Sequence, residues 1–175
     1  MSTLRQKSFL ATLALWDKPL IIGRPYGLPV LMLGDDNDAA FIFYFRCEGD
    51  YYNIYVRTKG EHFGRTLDEI ARLDQKKHDY LFTIHGNPCY ITTSTADVPT
   101  SFNILNGYGK ILTLDNLASN KEEIILQTRS GNKLAIEFSW DNEPPHIILT
   151  SSAGVTLTLN ILERNAPYLG FPGEV

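Results

Sequence analysis

The sequence predicts a single all-β domain, and three observations carry that prediction. Apolar residues recur with the two-residue period of strands, in short runs rich in β-branched and aromatic side chains. The runs are bounded by Gly, Asn, Asp and Pro, the residue types that turns require. At 175 residues, with 43% hydrophobic, 21% charged and 11% aromatic side chains, the chain has enough apolar surface for one core and lacks the composition of a disordered protein.

The first element is the apolar stretch Phe9 to Trp16. Arg5 and Lys7 precede it as in a signal peptide, but it is short and runs into Asp17, Lys18 and Pro19 without a small-residue cleavage site, so it reads as a first strand. Further strands are expected at Pro19–Gly23, Pro29–Leu33, Ala40–Phe45, Tyr51–Val56, Tyr80–Ile84, Cys89–Thr93 and Phe102–Leu105. The pattern continues at Ile111–Leu114, Glu123–Thr128, Leu134–Phe138, His146–Thr150 and Val155–Leu162. Roughly twelve short strands imply a closed barrel or a sandwich. One segment departs from the pattern. Thr66 to Asp74 carries a Thr-x-x-Glu capping box with apolar Leu67, Ile70 and Ala71, and predicts a short helical insertion of one or two turns. The tail from Asn165 to Val175, with Tyr168, Leu169 and Phe171 among its prolines and glycines, is expected to pack along the domain.

Internal repetition constrains the fold further. Thr66-Leu-Asp-Glu-Ile-Ala returns as Thr113-Leu-Asp-Asn-Leu-Ala, each followed by an apolar run and a Gly-Asn turn at Gly86-Asn87 or Gly131-Asn132. A fainter match aligns Ile21–Met32 with Tyr80–Ile91, placing Gly27 on Gly86 and Pro29 on Pro88. Three units end in similar strands: Phe41–Phe45, Ser101–Leu105 and Leu157–Leu162.

Three units of about four strands resemble the β-trefoil, in which six strands close a barrel and three hairpins cap one end. The segment from Thr100 to Asn116, followed by Glu123–Gln127, is similar to the strand and turn pattern of trefoil lectins and other ricin-B-like proteins. The Gln-x-Trp triplet of many ricin-B-like repeats is absent, since neither Trp16 nor Trp140 stands in one. The resemblance implies a β-trefoil with three pseudo-repeats, and sugar binding through loops repeated around a pseudo-threefold. The alternative architecture is a two-sheet jelly roll.

Composition excludes several functions. Sixteen Lys and Arg against twenty Asp and Glu give a net charge of -4, without the basic excess that phosphate backbones select. No apolar run approaches the about 20 residues of a membrane-spanning helix. Cys47 and Cys89 form no Cys-x-x-Cys pair and read as reduced thiols. The cytosol, or release without a classical signal peptide, fits these features. His62, His78, His85 and His146 show no zinc spacing, and the Asp35–Asp38 cluster lacks the closing Glu of a calcium loop, so neither metal nor cofactor is expected. No Ser or Cys has a positioned base; His85 with Cys89 is the nearest pair, and a packing thiol explains it better. Gly107-Tyr-Gly-Lys-Ile is no phosphate loop. The chain reads as a non-enzyme.

The ligand-binding candidates are Asp36, Asn37, Asp38, Asp97, Trp140, Asp141 and Asn142. Overlaying the units puts an acidic or amidic loop before each closing strand, where carboxylates and amides can bond adjacent sugar hydroxyls. Trp140, Phe41, Tyr44 and Tyr90 could supply an aromatic face. Asp and Asn also serve turns for purely local reasons, and Asp68-Glu69 and Asp115-Asn116 are read as capping residues. The expected partners are glycans or glycoproteins. The second expectation is a protein target, as for a protease inhibitor or a toxin-associated recognition module, reached through the unique Glu61 to Lys77 insertion.

Overall fold

The computed structural model describes residues 7–25, 27, 29–70, 89–94, 98–138 and 144–170. They form thirteen strands: β1 (Phe9–Leu15), β2 (Lys18–Gly23), β3 (Val30–Leu33), β4 (Ile42–Cys47), β5 (Tyr52–Val56), β6 (Thr66–Ile70), β7 (Cys89–Ser94), β8 (Ser101–Leu105), β9 (Ile111–Leu112), β10 (Lys121–Thr128), β11 (Lys133–Glu137), β12 (His146–Thr150) and β13 (Leu157–Arg164). All pairings are antiparallel. A 3-10 turn spans Leu114–Asn116.

Six strands close on themselves through the pairs β1–β4, β4–β5, β5–β8, β8–β10, β10–β13 and β13–β1. Closure leaves none of the six with an open edge. Three hairpins, β2–β3, β6–β7 and β11–β12, continue from β1, β5 and β10. They also pair with one another, through Val30 with Thr92, Ile148 with Tyr90, and His146 with Met32.

Alternation along the ring strands fills the interior. Phe9, Ala11, Leu13 and Leu15 of β1, Phe43 and Phe45 of β4, Tyr52 and Ile54 of β5, Phe102 and Ile104 of β8, Ile124 and Leu126 of β10, and Leu157 and Leu159 of β13 are buried. Phe9 stacks on Phe45 at 4.6 Å between centroids, and Tyr52 meets Phe9 edge-on at 5.4 Å. Each large side chain so buried contributes about 2 kcal/mol. The Tyr52 hydroxyl accepts the backbone N–H of Leu114 at 3.0 Å, which anchors the 3-10 turn to the ring.

The outer faces of β4 and β5 are aromatic too, and Ala166–Gly170, the described part of the expected tail, packs over them. Asn165, at φ 56°, turns the chain back after β13. The Tyr44 hydroxyl donates to Pro167 O at 2.9 Å and accepts Leu169 N–H at 3.1 Å. Arg46 lies over the rings of Tyr55 and Tyr168 at 4.9 and 5.5 Å, and pairs with Glu48 at 2.6 Å.

Thr66–Ile70 corrects the expected helical insertion. It is β6, the first strand of the second hairpin, paired residue for residue with Ser94–Tyr90 and joined to β5 at Tyr55. A helix of one or two turns is marginal by itself, whereas a strand between β5 and β7 gains ladder bonds along its length. Thr66 Oγ1 donates to Asp68 Oδ2 at 2.7 Å, and Asp68 Oδ1 accepts Thr100 N–H at 2.6 Å. The Thr113 copy does form the capping box, with Asn116 Oδ1 accepting Thr113 N–H at 3.1 Å. The two copies of the Thr-Leu-Asp repeat are thus different structures; within Glu61 to Lys77, residues 66–70 are strand and not helix, and the connection from β5 to β6, residues 57–65, is longer than its counterparts at 16–17 and 129–132. The fainter match fares better: its shift of 59 carries the start of β3, Val30, onto the start of β7, Cys89. The expected strand Tyr80–Ile84 lies outside the described residues.

Candidate functional site

Three connections are tied together at one place in the fold. Trp16 and Asp17 are the two-residue turn between β1 and β2, closed by the pair Leu15 and Lys18. Gly34, which opens the β3–β4 loop, donates its N–H to Pro19 O at 2.8 Å, and Leu33 N–H bonds Pro145 O at 2.9 Å. Phe138 follows the last residue of β11, and Pro145 precedes β12.

Trp16 and Phe138 meet there with ring centroids 6.1 Å apart and planes 12° from parallel. Each remains 61% exposed. At that separation the rings are slid past one another, so each leaves much of its surface to solvent. Trp16 adopts φ 53° and Asp17 φ 62°, as a tight β-hairpin turn of the primed kind demands. Bulky side chains disfavour this left-handed conformation, at a cost of about 1–2 kcal/mol; Asn or Gly would suit the turn better.

Polar groups adjoin the Trp16–Asp17 turn. The partly exposed Lys18 brings Nζ to 3.7 Å from Oδ1 of the exposed Asp36, and Asn37 beside Asp36 is exposed. Asp38 has a different task. Its Oδ2 accepts Asp35 N–H at 2.7 Å while its own N–H bonds Asp35 O at 3.0 Å. A Cβ at Gly34 would stand 3.0 Å from that Oδ2, so glycine lets the turn close tightly. Asp36 and Asn37 remain available to a ligand, and Asp38 is the bond that shapes their loop.

Asp97, Trp140, Asp141 and Asn142 lie outside the described residues. The order of the strands nevertheless corrects their overlay. Positions 141 and 142 fall between β11 and β12, while the connection before the closing strand β13 is Ser151–Thr156, which has no acidic residue. The sugar-facing aromatics also change. Tyr44 is buried under the C-terminal segment and Phe41 packs against the core; the side chain of Tyr90 is outside the described residues. Trp16 and Phe138 are the aromatics that sequence reading passed over. A Trp-Asp pair between two apolar runs is the signal that could have marked the first, since tryptophan is an unusual turn residue.

His62 and Cys47 lie inside the fold. His62 is buried with Nδ1 3.2 Å from Thr93 Oγ1, and burial lowers its pKa below the ordinary value. Cys47 is a buried free thiol, and burial pushes its pKa up, away from a reactive thiolate. His85, and the side chain of Cys89, lie outside the described residues. Asp115 pairs with Lys7 at 2.8 Å. Among the described residues, no group of three or more His, Cys, Asp or Glu is placed to hold a metal ion, and no helix is long and apolar enough to cross a membrane.

No model of a known protein family matches the chain, and no curated protein matches it.

Proposed function

We propose that the chain is a β-trefoil that binds carbohydrate without catalysing a reaction. The closed six-strand ring, and three hairpins that pair with one another, support the trefoil reading over a two-sheet jelly roll. The carrying observation for function is the Trp16–Phe138 pair. Two stacked rings held largely in solvent, one of them in a backbone conformation that a bulky residue disfavours, gain little for folding and offer an apolar face to a pyranose. Lys18, directly after the turn, its neighbour Asp36 and Asn37 would supply the donors and acceptors that sugar hydroxyls need.

A second reading, recognition of a protein target, is favoured by Tyr108. It is 97% exposed at the tip of a braced loop, in which Asn106 Oδ1 accepts the N–H groups of Tyr108 and Lys110 at 3.0 and 2.9 Å. A rigid loop loses little entropy on binding, and tyrosine is a frequent interface anchor. This loop joins Glu61 to Lys77 as a candidate point of contact for a protease or other protein.

We place the protein in the cytosol, or outside the cell by a route without a classical signal peptide. The apolar stretch that imitates a signal is β1, with Phe9, Ala11 and Leu13 wholly buried, and its removal would open the ring. The testing experiment is a glycan array with labelled protein, run beside a panel of proteases. A hit that free sugar competes away, and that Trp16→Ala abolishes, supports carbohydrate binding. A blank array with inhibition lost in Tyr108→Ala moves the function to protein recognition.

A further inference from the structure

A polar cluster forms where the β2–β3 turn meets the β5–β6 connection, residues 57–65. Arg24 opens the turn; its Nη2 donates to Glu61 Oε1, and its Nη1 donates to Gly27 O at 3.1 Å. His62, next to Glu61 in the chain, keeps only 9% of its surface. Its Nδ1 lies 3.2 Å from Thr93 Oγ1 of β7, and its Nε2 faces Glu61 Oε2 at 3.9 Å, too far for a hydrogen bond. The charges of Glu61, Arg24 and Arg65 all act on His62. Arg65 itself has no ion pair among the described residues.

One carboxylate therefore answers two guanidinium groups and an imidazole that can take up a proton, in a chain whose net charge is -4. The backbone that carries them is braced. Phe63 N–H bonds Gly60 O, Gly64 N–H bonds Val56 O and Arg65 N–H bonds His62 O, at 3.2, 2.8 and 3.1 Å. Glu61 is held less firmly, since its side chain is 58% exposed and that of Arg24 41%, and an ion pair so exposed is weak. Rotation of the Glu61 side chain releases Arg24 without moving the connection. We propose that Arg24, His62 and Arg65 form a binding site for the carboxylate group of a ligand, and that Glu61 is its internal competitor. The incoming carboxylate pairs with both guanidinium groups and accepts a hydrogen bond from Nε2 of protonated His62. An acidic sugar and the free C-terminus of a peptide both carry this group.

The test is a nuclear magnetic resonance titration of the full chain, following the His62 ring and the backbone amides of residues 57–65. The probes are acetate, glucuronate and acetyl-dialanine, with glucose as the uncharged comparison and sodium chloride at matched ionic strength. Each carboxylate should give saturable shifts and glucose none at these residues, and binding should tighten as pH falls below about 6.5 and His62 gains its proton. Arg65→Gln should weaken binding about tenfold, the loss of one charge-assisted bond. Glu61→Gln should strengthen it severalfold by freeing Arg24. Circular dichroism and thermal melting report the fold of both variants. A preference for glucuronate over acetyl-dialanine supports the site and assigns it to an acidic sugar; the reverse supports it and assigns it to a peptide terminus. Shifts that sodium chloride reproduces, unchanged binding in Arg65→Gln, or weaker binding in Glu61→Gln overturns the proposal.

Discussion

The hydroxyl of Tyr44 donates to the carbonyl of Pro167 across 123 positions of sequence, and that bond holds the C-terminal segment over the outer face of the ring. The same oxygen accepts Leu169 N–H, so one side chain satisfies two backbone groups of the segment. Tyr44→Phe should destabilise the protein by about 1–3 kcal/mol and lower the melting temperature by several degrees. Truncation after Asn165 should cost more, because it uncovers Tyr44, Tyr55 and Leu10. Thermal melting and dye binding to exposed apolar surface check both.

Trp16→Asn separates stability from function. Asparagine tolerates the left-handed turn better than tryptophan, while the lost stacking on Phe138 is worth about 0.5–1.5 kcal/mol. These effects oppose each other, so the melting temperature should stay within about 3 °C of the parent. Sugar binding should be lost. A large loss of stability would instead make Trp16 a structural residue.

Asp36 and Asp38 should behave oppositely although they are two residues apart. Asp38→Ala breaks the bond to Asp35 N–H and should cost about 1 kcal/mol. Asp36→Ala should leave stability almost unchanged and weaken glycan binding, because its partner Lys18 is an exposed surface contact. Urea unfolding and glycan titration of the two variants make the comparison.

His62 predicts a loss of stability on acidification. Burial lowers its pKa below 6.5, with Glu61 opposing that shift and Arg24 and Arg65 adding to it. The unfolded chain therefore takes up the proton first, and stability falls as pH drops below about 6.5 until the folded state also protonates. His62→Gln should lose less melting temperature than the parent between about pH 7.5 and pH 5.5.

At the other end of the scale, burial pushes the Tyr55 pKa up to about 12. The unfolded chain loses this proton near the ordinary value of 10, so stability present below pH 10 is lost as pH rises through 12. Tyr55→Phe should flatten the alkaline arm of the stability profile, measured by melting between about pH 9 and pH 11.

Most of the strands were legible in the sequence because their signals are local. Period-two burial along Phe9–Leu15 and the glycine and proline that align β3 with β7 need no knowledge of distant partners. The repeat that looked stronger was the misleading one. Thr66-Leu-Asp-Glu and Thr113-Leu-Asp-Asn both carry a helix-start pattern, but Thr66–Ile70 lies between two strands that bond it, while Thr113–Asn116 lies beside Tyr52, which accepts its turn N–H. The candidate site divides in the same way. Asp36 and Asn37 could be named from turn chemistry and hydroxyl recognition, which belong to single loops. The Trp16–Phe138 stack is a contact between residues 122 positions apart. Only ring closure and hairpin pairing bring them together, because no local rule relates a turn after β1 to the end of β11.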